Sequence, residues 1–133
     1  MRIAIPFECP CLHSLPVRTY LHAHRYRIVL HIDGPIDPES GFVINMELIQ
    51  ERINPDFEAL RGKSLNGHPL FGEHPVGRLP TCEYLAEFFA ERYVPVVGEL
   101  SESAKLIALE VELINKGEAG DDDEFGLARW EAA

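Results

Sequence analysis

The pair His22-Ala23-His24 is the feature of this chain best placed to do chemistry. On an extended strand, residues two apart project to the same side, so both imidazoles can converge on one metal ion. The segment before them offers Cys11 and His13, again two apart. If the two segments form an antiparallel hairpin, its closed end brings these nitrogen and sulfur donors beside His22 and His24. Three protein ligands with a fourth position left open is the pattern of catalytic zinc. Two histidines at this spacing also occur as ordinary surface or core residues. The extra donor on the adjoining strand favours the metal.

The elements that must position these groups can be read from periodicity. Ile3, Ile5, Phe7, Cys9, Cys11 and His13 alternate along a strand from Ile3 to His13, and a turn around Ser14-Leu15-Pro16 follows. A second strand runs from about Tyr20 to Asp33, with His22, His24, Tyr26, Ile28, Leu30 and Ile32 on one face and Arg25, Arg27, His31 and Asp33 on the other. Gly34-Pro35 ends it, and Asp37 to Gly41 reads as a turn. Asn45 can cap a helix whose stripe is Met46, Ile49, Ile53, Phe57 and Leu60, with Pro55 predicting a kink or an early end near Asn54. Arg61 to Leu79 reads as a Gly- and Pro-rich loop. Thr81 can cap a second helix, with Glu83 in its first turn and Leu85, Phe88, Phe89 and Tyr93 as its buried stripe. A strand from about Lys105 to Ile114 and a short one from Phe125 to Trp130 complete the order ββααββ. That order predicts an α+β domain spanning residues 1–133, with two helices covering one face of a four-stranded antiparallel sheet. Such a sheet has open edges, and oligomerisation is one way to cover them.

Bulk properties narrow the possible functions. The chain has 133 residues, suited to one domain, with 46% hydrophobic and 26% charged residues. Twenty-two acidic residues against twelve Lys and Arg give a formal charge of −10, which would repel a phosphate backbone, so no nucleic-acid partner is expected. No apolar run approaches the roughly 20 residues of a membrane helix, and the first residues, broken by Pro6, do not read as a signal peptide; the expectation is a cytoplasmic protein without a membrane partner. Cys9, Cys11 and Cys82 then read as thiols or metal ligands rather than a disulfide framework. The run Asp121-Asp122-Asp123-Glu124 reads as a solvated loop.

At the level of motifs the chain resembles the family of 6-pyruvoyltetrahydropterin and 6-carboxytetrahydropterin synthases. Leu21-His22-Ala23-His24-Arg25-Tyr26 is similar to its Leu-His-Gly-His-x-Tyr/Phe signature, and Phe7-Glu8-Cys9-Pro10-Cys11 to its first-strand Phe-x-Ala-Ala-His. Gly41 to Met46 is similar to its Gly-x-Val-x-Asp-Phe, Leu65-Asn66 to its Leu-Asn, and Pro80 to Ala86 to its Pro-Thr-x-Glu-x-Leu-Ala. The resemblance implies a tunnelling fold (T-fold), in which subunits join their sheets into a barrel, as a homo-oligomer of three or six chains. It implies zinc held by three histidines and a pterin-like small molecule, such as dihydroneopterin triphosphate, processed by a carbon–oxygen lyase. Two ligands carry over to His22 and His24. The third is His13, which keeps the family's ligand set, or Cys11, which ungapped alignment places there. For the pterin, the resemblance points to Glu110 or Glu112 as the carboxylate that accepts two parallel N–H bonds, and to Thr81 and Glu83 at the start of the second helix.

The family's proton-transfer pattern is broken. Its cysteine in the loop before His-x-His has no counterpart between Ser14 and Tyr20, where the matching position lies near Arg18. Its Asp-His pair before Leu-Asn is replaced by Leu60-Arg61-Gly62-Lys63-Ser64. His68 and His74 are then the candidate proton carriers of a divergent enzyme, with a cysteine in a new role as a further option. The alternative is a catalytically silent T-fold protein that binds a pterin- or purine-like ligand or serves in assembly. A third reading, a small all-β cupin-like metal protein, conflicts with the two amphipathic helices.

Overall fold

The computed structural model of the chain describes residues 1–114 and 126–133. Strands β1 (Arg2–Leu15) and β2 (Arg18–Asp33) form a long hairpin; helices α1 (Met46–Leu60) and α2 (Cys82–Leu100) follow, then strands β3 (Lys105–Ile114) and β4 (Gly126–Glu131). The sheet is antiparallel throughout, in the order β1-β2-β3-β4, so β1 and β4 are its edges. The ββααββ order expected from periodicity is the one observed. The acidic run Asp121–Glu124 and Phe125 lie outside the described residues.

Alternation explains the layering. Ile5, Phe7, Cys9, Cys11 and His13 of β1 are buried, as are His22, His24, Tyr26, Ile28, Leu30 and Ile32 of β2. These face the helices. Ile49, Ile53, Phe57 and Leu60 of α1 and Leu85, Phe88, Phe89, Tyr93 and Val97 of α2 close over them. Each large apolar side chain so buried contributes roughly 1.5–3 kcal/mol. The opposite face is charged, with Arg27, Glu110, Glu112 and Arg129 paired across strands.

Both helices begin as their capping residues dictate. The Asn45 side chain accepts from the Glu47 amide at 3.0 Å, and Thr81 Oγ1 from the Tyr84 amide at 3.2 Å. Pro55 does not end α1, which continues to Leu60. The proline sits on the exposed side of the helix, where solvent can satisfy the carbonyl it leaves unbonded, while the next two residues, Asp56 and Phe57, are buried. Tertiary packing therefore outweighs the local cost. Asp56 lies on that buried stripe with its own partners: Arg92 Nε at 2.7 Å and Nη2 at 2.9 Å, and the Tyr93 hydroxyl at 2.9 Å.

The segment expected as loop, Arg61 to Leu79, contains two single 3-10 turns, Pro69–Phe71 and Pro75–Gly77. It also runs along the outer edge of β1. Gly62 N–H donates to Pro10 O at 2.7 Å, Leu12 N–H to Lys63 O at 2.9 Å and Leu65 N–H to Leu12 O at 2.8 Å. Asn66 continues the pairing with its side chain, accepting from Ser14 N–H at 2.8 Å and donating to Ser14 O at 2.9 Å.

Candidate metal centre

The hairpin register places His13 directly opposite His22 and Cys11 opposite His24. His24 then lies diagonally across from His13, two residues along β2. The three imidazoles form a near-equilateral group: ring centroids are 4.5 Å apart for His13 and His22, 4.6 Å for His13 and His24, and 4.5 Å for His22 and His24. One nitrogen of each ring lies within 4.8 Å of the others. All three are buried, at 2%, 8% and 5% exposure. Polar rings gathered out of water need partners, and a shared cation would partner all three at once.

Ring nitrogens and backbone carbonyls show what this group can hold. His22 Nδ1 lies 2.9 Å from Tyr20 O. A carbonyl only accepts, so Nδ1 carries the proton and Nε2 presents its lone pair. That lone pair points to His13 Nε2 at 2.9 Å. Two nitrogens bound to one tetrahedral zinc at the usual bond length stand about 3.4 Å apart, so a small outward movement would admit the ion. On the far side of His13, Nδ1 meets the Tyr26 hydroxyl at 2.6 Å and Pro80 O at 3.3 Å. These are the outer partners that fix the orientation of metal-binding imidazoles. Pro80 is the residue before Thr81, the cap of α2, and its carbonyl meets His13 near the end of β1. The donor set of three neutral imidazoles fits zinc.

Cys11, the other candidate third ligand, is not in the group. Its Sγ lies 3.6 Å from Cys9 Sγ, and both thiols line a small apolar cavity with Phe57, Leu60, Leu65 and Phe89. Its thiol donates to Cys9, and burial adds to the effect, so Cys11 is held far above the ordinary thiol range. A protonated thiol is a poor zinc ligand. Alternation alone could not separate Cys11 from His13, since both occupy the same face of β1 and each lies opposite a histidine; their side-chain contacts separate them, His13 with His22 and His24, Cys11 with Cys9.

The candidate proton carriers lie elsewhere. His68 begins the first 3-10 turn, its Nδ1 accepting from the Leu70 amide at 3.1 Å and its Nε2 donating to Ala59 O at 3.1 Å. His74 begins the second, its Nδ1 accepting from the Val76 amide at 3.0 Å. His74 Nε2 reaches Glu87 at 3.1 Å and Glu91 at 3.9 Å, and these three form the second cluster of possible metal donors among the described residues. Because Nδ1 accepts from an amide, Nε2 must carry the proton and donate to Glu87, which leaves no lone pair for a metal.

The candidate ligand-binding residues are spread over two regions. Glu110 accepts from Arg129 at 2.7 Å and contacts His31, while Glu112 lies 3.7 Å from Arg27, which also reaches Glu8 at 3.6 Å. Glu83 lines a shallow crevice of about 190 Å³ with Ala86, Glu87, Ala128, Arg129 and Trp130. Arg129 joins the regions, since it lines that crevice and binds Glu110. Thr81 is committed to capping α2. Tyr26, Pro80 and Asn66 were missed as site-supporting residues, although each lies inside a motif already singled out.

Comparison with known proteins gives a consistent result. A family model described as 6-pyruvoyl tetrahydropterin synthase matches residues 5–118. Among solved structures, the 6-pyruvoyl tetrahydropterin synthase of Caenorhabditis elegans matches all of this chain and 96% of its own, at 15% identity and a TM-score of 0.74. An uncharacterized protein of Wolinella succinogenes matches all of this chain and 98% of its own, at 16% identity and a TM-score of 0.70. The 6-pyruvoyl tetrahydropterin synthase of Plasmodium falciparum matches 99% and 98%, at 12% identity and a TM-score of 0.60. At these identities the structural likeness establishes the fold.

Proposed function

Since the chain belongs to the 6-pyruvoyl tetrahydropterin synthase family, we propose that it holds zinc on His13, His22 and His24 and acts on a pterin such as dihydroneopterin triphosphate as a carbon–oxygen lyase. The observation that carries this reading is the convergence of three buried imidazoles, with the Nε2 lone pair of His22 fixed by the Tyr20 carbonyl. Bound zinc supplies a Lewis acid that polarises a substrate oxygen. The chain's own residues supply the rest. Tyr20 O, Pro80 O and Tyr26 orient the imidazoles; Glu110 or Glu112 is the carboxylate for the amine-bearing edge of a pterin, after exchange of its present Arg partner. Glu83, beside the crevice at β4, and Thr81 serve the same ligand from the start of α2. His68 and His74 are the proton carriers of this reading. It assembles as a trimer or hexamer, and it works in the cytoplasm.

A second reading, ligand binding without turnover, is favoured by one specific observation. His68 and His74 both spend Nδ1 on a backbone amide, and neither joins the group of three histidines. The hairpin turn offers no cysteine in their place. Zinc-loaded protein incubated with dihydroneopterin triphosphate decides between the two. Formation of product, abolished by His22→Ala, supports the enzyme. Saturable binding without product, assayed with the same preparation, supports the silent protein.

A further inference from the structure

Cys9 and Cys11 take no part in the histidine group, yet they form a pair of their own. Both are buried, at 1% and 5% exposure, and their sulfurs stand 3.6 Å apart. That arrangement is wrong for a disulfide waiting to close. A bridge needs sulfurs about 2.05 Å apart and Cβ atoms about 3.8 Å apart, whereas residues two apart on a strand stand roughly 6.5 Å from each other. It suits two sulfurs with one atom between them. On an ion held at about 2.3 Å, two thiolates lie about 3.8 Å apart at a tetrahedral angle and about 4.6 Å apart in a line. The backbone between the pair is also held. Pro10 fixes its own φ, and its carbonyl accepts from Gly62 N–H at 2.7 Å.

The surroundings select the ion. The sulfurs face a cavity of about 10 Å³, whose walls include Ile28, Phe57, Leu60, Leu65 and Phe89. Among the described residues this lining adds no imidazole, carboxylate or further thiol, so an ion that needs four ligands, as zinc does, is not satisfied there. Soft thiolate ligands favour cuprous copper, which is content with two. We propose that Cys9 and Cys11 form a two-sulfur site for a cuprous ion, separate from the histidine group. On binding, two S–H bonds give way to two Cu–S bonds and both protons pass to water, with no change in the oxidation state of the copper. A weaker thiophile cannot displace those protons, which leaves zinc to the imidazoles. The product carries one negative charge, and the Arg61 guanidinium, whose field reaches both sulfurs, offsets part of it. The inference does not depend on the zinc reading.

The test is made without oxygen on the full chain, already given one equivalent of zinc. One equivalent of cuprous ion is added as its acetonitrile complex and unbound metal is removed. Copper-edge X-ray absorption and the ultraviolet sulfur-to-copper charge-transfer band are then recorded. The expected result is one copper per chain with two sulfur neighbours and no nitrogen. Cys9→Ser and Cys11→Ser are each expected to lose the band, while Cys82→Ala keeps it. Copper bound to nitrogen, copper that washes out, or a band that disappears with Cys82→Ala would overturn the proposal. The wild-type absorption spectrum decides without relying on how well a variant folds. Its copper neighbours are read whether or not zinc is retained, so this site stands or falls apart from the histidine group.

Discussion

His13 and Cys11 sit two residues apart on one face of β1, yet the structure gives them opposite surroundings, and replacing each in turn shows which one matters to the metal. His13→Ala is expected to remove one of three nitrogens and abolish stoichiometric zinc in the purified protein, read by elemental analysis. Cys11→Ser is expected to keep a full equivalent, because its thiol faces Cys9 and an apolar cavity. The reverse pattern would move the site one rung down the hairpin. His22 and His24 were legible in the sequence because i, i+2 spacing on a strand fixes a shared direction. Which of Cys11 and His13 would join them was not, because alternation puts both on one face and the pairing sets each opposite a histidine; only the packing of their side chains tells them apart. Tyr26 and Pro80 escaped for a related reason. Their importance lies in contacts between elements, and Pro80 acts through a backbone carbonyl that no side-chain pattern announces.

Between α1 and α2 the decisive contact is a polar one. The Tyr93 hydroxyl donates to Asp56 within the core, and burial first, then the carboxylate beside it, pushes its pKa well above the ordinary value near 10. A raised value means that the folded protein holds this proton more tightly than the unfolded chain does. The associated stability is complete below pH 10 and drains away as the pH rises further, by about 1.4 kcal/mol per pH unit for one proton. Tyr93→Phe is therefore expected to be less stable near neutrality by about 0.5–1.5 kcal/mol, the net worth of a hydrogen bond. Above pH 10 its stability should fall less steeply than that of the wild type, so the two curves converge. Denaturant melts from pH 7 to 11 would show it; parallel curves would refute the proton's role. Helical periodicity located both helices and their caps; of the kink or early end expected at Pro55, the early end does not occur, since α1 continues to Leu60. The sequence reading left Asp56 off the stripe; the structure buries it there, and Arg92 and Tyr93, a helix away, make that position tolerable.

For the whole molecule, the ββααββ order was legible because each strand alternates cleanly and each helix has a cap. The loop between the helices was not, since its two 3-10 turns and its pairing with β1 depend on backbone groups. The expected oligomer is tested by native mass spectrometry, with three or six times the 15.0 kDa chain mass as the anticipated result and a monomer as the result against it. No helix among the described residues is long and apolar enough to cross a membrane.

The segment from Gly62 to Asn66 bears on how copies of this chain could meet. By occupying the outward backbone groups of Pro10, Leu12 and Ser14, it seals the rim of the sheet beside the imidazoles and, among the described residues, leaves Arg2 to Glu8 as the stretch of β1 still open to a visitor. That stretch is close in length to the six residues of β4 at the opposite rim. A head-to-tail ring built from these two rims would pair stretches of nearly equal length, with the histidine-bearing half of the hairpin held out of the seam by its own chain.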